Sequence, residues 1–366
     1  MAELAFEPDP DFRRLDIALR LEGEPDRVPA VEFLVEGVVK EAILGKHVGN
    51  SLTREDNYDV AADVEFWYRA GYDFIHLAPN YLGMWPEAAW KTARASYSAY
   101  VAEETERAWM EEGVGPMRTW EDFERYPWPD PNDVDLSDIE RAAELLPEGM
   151  MLTTGTWGIF EQTRALTGFE GFCYLLADEP ALAEAIVERV GTFMFELFKR
   201  AAKLPKVGAL WYADDLAHRS GFLVSPEWYR RVLFRWHRKY GEYARSLDIP
   251  LIYHCDGRIW EVLDDIVEAG FSAIQPIEPG AMDIVQVKKR YGKNLCIIGN
   301  IDLGGSLGRG TPEEVRAEVR QRIRELAPGG GYCCGSSNSI AEYVPLENYI
   351  AMQEAIFEFG RYPISV

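Results

Sequence analysis

The heptapeptide LIYHCDG at 251–257 sets an imidazole, a thiol and a carboxylate side by side at the end of an apolar run. In an extended chain successive side chains point to opposite faces. His254 and Asp256 therefore share one face, and Cys255 points to the other. An imidazole nitrogen and a carboxylate oxygen are both ordinary ligands for a divalent metal, and either group also works as an acid or base. His254 reads as a metal ligand, as an acid–base group or as a satisfied histidine at a strand end. Asp256 reads as a second ligand or as the group that orients the imidazole. The tetrapeptide YADD at 212–215 raises a parallel question for Asp214 and Asp215. Each is either a pocket carboxylate or a cap that ends a strand by binding nearby backbone.

Similar polar groups close other apolar runs: Glu32 and Glu36, His76 and Asn80, Thr156 and Trp157, Gln275 and Glu278, Asn300 and Asp302, and Ser336 to Asn338. The elements that must position them are eight short β-like runs, VPAVEF (28–33), DFIHLA (73–78), MMLTTG (150–155), GALWYA (208–213), PLIYHC (250–255), SAIQPI (272–277), NLCIIG (294–299) and GYCCGS (331–336). Helical patterns separate them at 58–70, 181–203, 226–246, 259–269, 281–291 and 312–326. Ser225-Pro226-Glu227 and Thr311-Pro312-Glu313-Glu314 supply a hydroxyl cap, a proline at the first helical position and acids in the first turn. Eight strand–helix units over this length predict an α/β fold, a (β/α)8 TIM barrel forming a single domain over 1–366. Residues 81–149, with no strand-like run, predict a rim or lid insertion after the second strand. A doubly wound sheet is the alternative, but no GxGxxG follows the first run. In a barrel the polar strand ends converge at one mouth, whereas the opposite ends here read as turn chemistry.

Composition sets outer limits. The 366 residues are 47% hydrophobic and carry a net charge of −23, which argues against a nucleic-acid partner. No apolar run approaches the roughly 20 residues of a membrane span, and the acidic start lacks a secretion signal, so a cytoplasmic protein is expected. The five cysteines, Cys173, Cys255, Cys296, Cys333 and Cys334, form no CxxC pair and read mainly as small buried residues. His47, His218 and His237 fall where solvated roles are expected.

The long stretch HCDGRIWEVLDDIVEAGFSAIQPIEPGAMDIVQVKKRYGKNLCIIGNID resembles the uroporphyrinogen decarboxylase superfamily. So do APGGGYCCGSSNSI, DRVPAVEF, GYDFIHL, ADDLAHRSGFLVSPEWY and VPLENYIAMQEAIFEFGRYP. The resemblance implies a (β/α)8 barrel and one of two chemistries. One is cofactor-free decarboxylation of tetrapyrrole acetate groups, and the other is zinc-dependent methyl transfer involving a corrinoid or a thiol. The arginine motif that holds substrate carboxylates in the decarboxylases reads LVEGVVKEAILGK here, and their late GHGI histidine reads NSI. Loss of those cations disfavours a porphyrin polycarboxylate. In the methyltransferases the zinc is bound by H-x-C and a later Cys, positions that read His254, Asp256 and Asn338 here. A site of nitrogen and oxygen suits polarising an ether oxygen better than activating a thiol.

The resemblance thus implies an O-demethylase-like methyltransferase component. It would take a methyl group from a small methoxylated or methylated substrate and pass it to a cobalamin-type corrinoid on a partner protein. His254 and Asp256 are the expected zinc ligands, and Asp214, Glu278 and Asp256 the expected catalytic groups. Trp157, Asp215, His76, Asn80, Asn300 and Asn338 are the expected substrate contacts, with Tyr81, Trp85 and Trp211 adding to an aromatic mouth. A homodimer is implied as well. The alternatives are a decarboxylase or lyase of a non-porphyrin carboxylate, and a non-catalytic barrel that binds a tetrapyrrole or corrinoid.

Overall fold

Seven of the eight apolar runs form strands of one parallel sheet in the computed structural model, which describes residues 4–54, 57–85, 90–94, 106–110, 113 and 115–366. In sheet order they are Phe74–His76, Met151–Trp157, Val207–Ala213, Leu251–His254, Ala273–Gln275, Cys296–Ile298 and Tyr332–Cys333. Sheet order follows chain order, and every pairing is parallel. Continuous apolar runs suit such strands, because helices cover a parallel sheet. The 22-residue helix Pro180–Ala201 buries Leu182, Ala183, Ile186, Val187, Val190, Met194 and Leu197, the stripe expected at helical spacing.

Residues 28–33 depart from expectation. They form no ladder, only an isolated parallel bridge between Ala30 and Cys334. Pro29 has no N–H to contribute, although its carbonyl accepts from Cys334 N at 2.9 Å, and Val31 N donates to Cys334 O at 2.9 Å. Gly335 permits that approach, since a Cβ there would lie 1.9 Å from the Val31 carbonyl oxygen. Phe33, at the end of this segment, reaches across to rings on four strands of the sheet. Its ring lies 5.0 Å from His76, 5.6 Å from Trp157, 5.1 Å from Trp211 and 4.6 Å from His254. A segment bridged to the last strand therefore touches the first, so the sheet is curled.

The expected insertion also differs. Within 81–149, residues Trp90–Arg94 and Glu106–Met110 pair as an antiparallel ladder, and parts of that region lie outside the described residues. The helix Ser137–Leu145 buries Ile139, Ala142 and Ala143 and serves as the crossover before the strand Met151–Trp157.

Helix starts follow the local chemistry. Thr311 and Glu314 form a reciprocal capping box, and Ser225 accepts from Trp228 N. The predicted helix at 226–246 is interrupted by a π-helical stretch, Tyr229–Leu233, before Phe234–Ser246.

Candidate functional site

Strand register brings the carboxyl ends level. Trp157 pairs with Ala213, Ala213 with His254, and His254 with Gln275. The residues that follow then sort by the two-residue period of a strand. Trp211 faces the inside of the curl against Phe33 and His76, and the same parity carries Ala213 and Asp215 inward. Tyr212 faces the helices, with its ring 5.0 Å from His237 and 4.7 Å from Tyr240, and parity sends Asp214 the same way. On the next strand Tyr253 faces Phe271 and His237, while His254 faces inward to Phe33.

The inward side chains form a cluster. Asp215, His254 and Asp256 each present a ligand atom, all within 4.8 Å of one another. Two ligands of one ion with bonds of roughly 2.0–2.2 Å lie no more than about 4.4 Å apart, so small side-chain rotations would bring all three to a common cation. Asp215 Oδ1 accepts from Asp256 N at 2.8 Å, which fixes the loop after the strand Leu251–His254. His254 Nδ1 is hydrogen-bonded to Gln275 Oε1, and Gln275 Nε2 donates to the Asn338 carbonyl at 3.0 Å. The amide orientation makes Nδ1 the protonated nitrogen and leaves the Nε2 lone pair free. Nε2 lies 3.9 Å from Asp256 Oδ1, beyond hydrogen-bond range. Asp256 Oδ1 is buried with no hydrogen-bond partner, while Asn338 Nδ2 donates to Oδ2. A polar atom left so costs about 1–3 kcal/mol, and a divalent cation would satisfy it. The residues present fit such an ion.

Electrostatics agree with a site poised for a cation. Burial and the facing carboxylates of Asp215 and Glu278 push the Asp256 carboxyl well above its ordinary range. Burial lowers His254, offset by Asp215 and by the hydrogen bond it donates to Gln275, so the imidazole is disposed to be neutral. Glu161, at the start of the helix Ile159–Thr167, is raised strongly by burial and by Asp215, Asp214 and Asp256, with Arg164 opposing at 3.9 Å. Glu278 is tied to Arg219 at 2.6 Å on the outer side of the cluster.

Other expected residues take different places. Asp214 is fully buried and accepts from Phe160 N at 3.1 Å, Glu161 N at 2.9 Å and Tyr212 OH at 2.7 Å. It caps the helix Ile159–Thr167 from the neighbouring strand, the backbone-binding alternative of the two read from sequence. His76 lies in the aromatic wall, with Nδ1 3.0 Å from Thr153 Oγ1, and burial lowers it to about 3. Asn80 Nδ2 donates to Thr53 O, and Asn300 Nδ2 to Ile277 O, so both amides hold loops. Trp157 and Trp211 line the wall through Phe33. Tyr81 and Trp85 instead pack on Phe193 of the long helix, 6.0 and 4.8 Å between ring centres. His237, expected in solvent, is buried among Tyr212, Phe234, Tyr253 and Phe271 and lowered to about 3 by burial. Helix periodicity places it one turn from buried Phe234 and Tyr240, a signal that its burial was readable.

Residues 110–359 match the family model described as uroporphyrinogen decarboxylase (URO-D). The chain belongs to the uroporphyrinogen decarboxylase family. Within it, the chain is 28% identical over 198 residues to the methylated-thiol–coenzyme M methyltransferase of Methanosarcina mazei. That match covers 53% of this chain and 49% of the relative, so it spans about half the length of that enzyme. It is 24% identical over 260 residues to the uroporphyrinogen decarboxylase of Methylococcus capsulatus, covering 67% of this chain and 71% of that one. A solved methyltransferase from Methanosarcina mazei shares the fold, with a TM-score of 0.67 at 19% identity over 94% of this chain and 98% of its own. Both curated relatives carry the names of enzymes, a methyltransferase and a decarboxylase. No helix among the described residues is long and apolar enough to cross a membrane.

Sequence reasoning did not single out Glu161, whose carboxyl feels the charges of Asp215 and Asp256. It sits four residues past Trp157, on a helix whose start Asp214 caps, near enough to Asp215 and Asp256 for their charges to raise it. The acid next to a strand end was the one available signal.

Proposed function

We propose that the protein is a methyltransferase of the uroporphyrinogen decarboxylase family. In this reading it removes a methyl group from the oxygen of a small methoxylated substrate and passes it to a corrinoid held by a separate partner protein. The observation that carries the reading is the cluster of His254, Asp256 and Asp215, which could hold a metal and contains no thiolate. The relative at 28% identity is named for methylated thiols and coenzyme M. Thiol chemistry favours soft, sulfur-rich sites, whereas imidazole and carboxylates favour oxygen. A zinc or similar ion bound there would polarise the ether oxygen as a Lewis acid.

The chain's own residues supply the rest. Phe33, Trp157 and Trp211, with the rings of His76 and His254, form an apolar wall against which an aryl or alkyl ether packs with its methyl group exposed to the mouth. Gln275 keeps His254 in the tautomer that offers Nε2 inward. Glu161, whose carboxyl is raised by burial and by Asp215, would give the departing oxygen a proton, while Glu278 stays paired with Arg219 beside the cluster. Asp214 acts one step removed, by fixing the helix that carries Glu161. The same reading takes residues 28–33 as the eighth strand of a closed barrel, a single domain that works as a homodimer.

The test is direct. Purified protein is mixed with cob(I)alamin and a panel of methoxylated aromatic and aliphatic compounds, and methylcobalamin is followed optically beside the demethylated product. Wild type forms both products from at least one ether, and His254→Ala loses turnover by about 100-fold or more, the scale at which single catalytic groups act. Release of CO2 from a carboxylate substrate without any corrinoid would overturn the reading in favour of a decarboxylase.

A further inference from the structure

We propose that the metal centre of this chain is an all-nitrogen-and-oxygen site in which Asp215 is the third ligand and Asn338 is a positioning residue that touches no metal. The site would take a first-row divalent cation of hard or borderline character. The family resemblance directs attention to position 338 for the third ligand, and the geometry directs it elsewhere. A carboxamide can bind a cation only through its oxygen. Asn338 Oδ1 accepts from Ser339 Oγ at 3.1 Å, and its Nδ2 donates to Asp256 Oδ2. Its NH2 group, which cannot ligate, is thus the end turned to the cluster.

Asp215 meets the requirements that Asn338 does not. It lies on the inward parity of its strand, and a carboxylate oxygen reaches within 4.8 Å of the His254 and Asp256 ligand atoms. Only one of its oxygens is used by Asp256 N, which leaves the other for an ion. Two further observations point to an ion. Asp256 Oδ1 is buried and unpartnered, and the His254 side chain, 8% exposed, turns an unbonded Nε2 toward it.

Asn338 instead closes a ring of contacts around the ligands. Its side chain holds Asp256, and its carbonyl accepts from Gln275, which in turn holds His254. Asn338, beyond the last strand, therefore holds both Asp256 and, through Gln275, His254. Groups that orient ligands in this way typically change metal affinity about 10–100-fold when removed.

This deepens the proposed function, since it rests on the same end of the sheet, but its test needs neither corrinoid nor methyl donor. Chelator-stripped protein is titrated with Co²⁺, and binding is read by calorimetry and by the visible and near-ultraviolet spectrum. Wild type is expected to take one Co²⁺ per chain, with ligand-field bands and no sulfur-to-cobalt charge transfer. Asn338→Ala should weaken binding by about 10-fold, whereas Asp215→Asn should weaken it beyond the roughly 100-fold upper end for a positioning group. Asp215→Glu, which keeps the charge one methylene away, should fall between, and thermal unfolding of the metal-free variants checks that each is folded. A wild type that binds no Co²⁺ would overturn the inference. So would normal binding by Asp215→Asn, or binding abolished only by Asn338→Ala. Stoichiometric Co²⁺ binding without methyl transfer would leave this inference intact and sink the proposed function, and methyl transfer by a protein that binds no Co²⁺ would do the reverse.

Discussion

Asp214 and Asp215 are chain neighbours that end on opposite sides of one strand, and each belongs to a different layer of the molecule. In the outward layer Asp214, Tyr212, Tyr253 and Cys255 pack under the helices with their own side-chain polar atoms committed to hydrogen bonds. The inward layer holds Asp215, His254 and Asp256, where an imidazole nitrogen and a carboxylate oxygen stay unbonded. Glu32 and Phe33 repeat the split on the segment beside the last strand. Glu32 is buried against Ser336, and Phe33 faces His254. The same residue types are structural on one face and chemically available on the other. Parity, more than residue type, decides which aspartate is available for chemistry.

The largest way to break this comparison is to remove the outward acid. Asp214→Ala strips the acceptor from two helix N–H groups and from the Tyr212 hydroxyl, all inside the protein. A lost cap costs about 1–2 kcal/mol, and buried unpaired donors add about 1–3 kcal/mol, so a loss of about 3 kcal/mol is expected in urea unfolding. Asp215→Asn, which keeps an oxygen for Asp256 N, should change stability by no more than about 0.5 kcal/mol, as a substitution away from core packing does. Equal destabilisation by the two variants would erase the distinction between layers.

A second, smaller effect sharpens it through pH. Burial pushes Glu32 up to about 8, against hydrogen bonds from Ser336 that favour the ionised form. Folded Glu32 therefore keeps its proton where the unfolded chain has lost it. The folded state holds more protons between the ordinary glutamate range and about pH 8, so stability falls as pH rises through that window. From pH 6 to pH 8 this one group should cost about 2 kcal/mol in wild type. Glu32→Gln, which preserves an acceptor for Ser336 N, should flatten that part of the profile in thermal unfolding scans. An unchanged slope would mean that Glu32 is ionised in the folded protein, and so that the outward layer tolerates charge.

Much of the architecture was legible because it is local. Seven of the eight apolar runs became sheet strands, and the Ser225 and Thr311 caps formed as their spacing implied. His254 and Asp256 were legible as a pair because alternation acts over two residues. The same alternation, applied to Trp211, Tyr212 and the aspartates after them, would have separated Asp214 from Asp215. What stayed hidden depends on approach between distant segments. The bridge from Ala30 to Cys334 needs the close contact at Gly335, and the role of Glu161 needs a helix capped from the next strand. The burial of Tyr81 and Trp85 under Phe193 likewise depends on where the long helix lies.

The smallest expected effect tests the residue that stands between His254 and Asp256 in sequence. Cys255 is buried, its thiol is pushed well above the ordinary range by burial, and its sulfur accepts from Leu216 N at 3.3 Å. A thiol in that state is held neutral and faces away from His254 and Asp256, so it is neither nucleophile nor ligand. Cys255→Ala should cost about 1 kcal/mol of stability, the scale of one modest hydrogen bond, with Co²⁺ affinity unchanged. A Co²⁺ affinity that fell with Cys255→Ala by as much as with Asp215→Asn would show that the strand's parity is not kept through residue 255, and the division between the layers would fail at the position where it matters most.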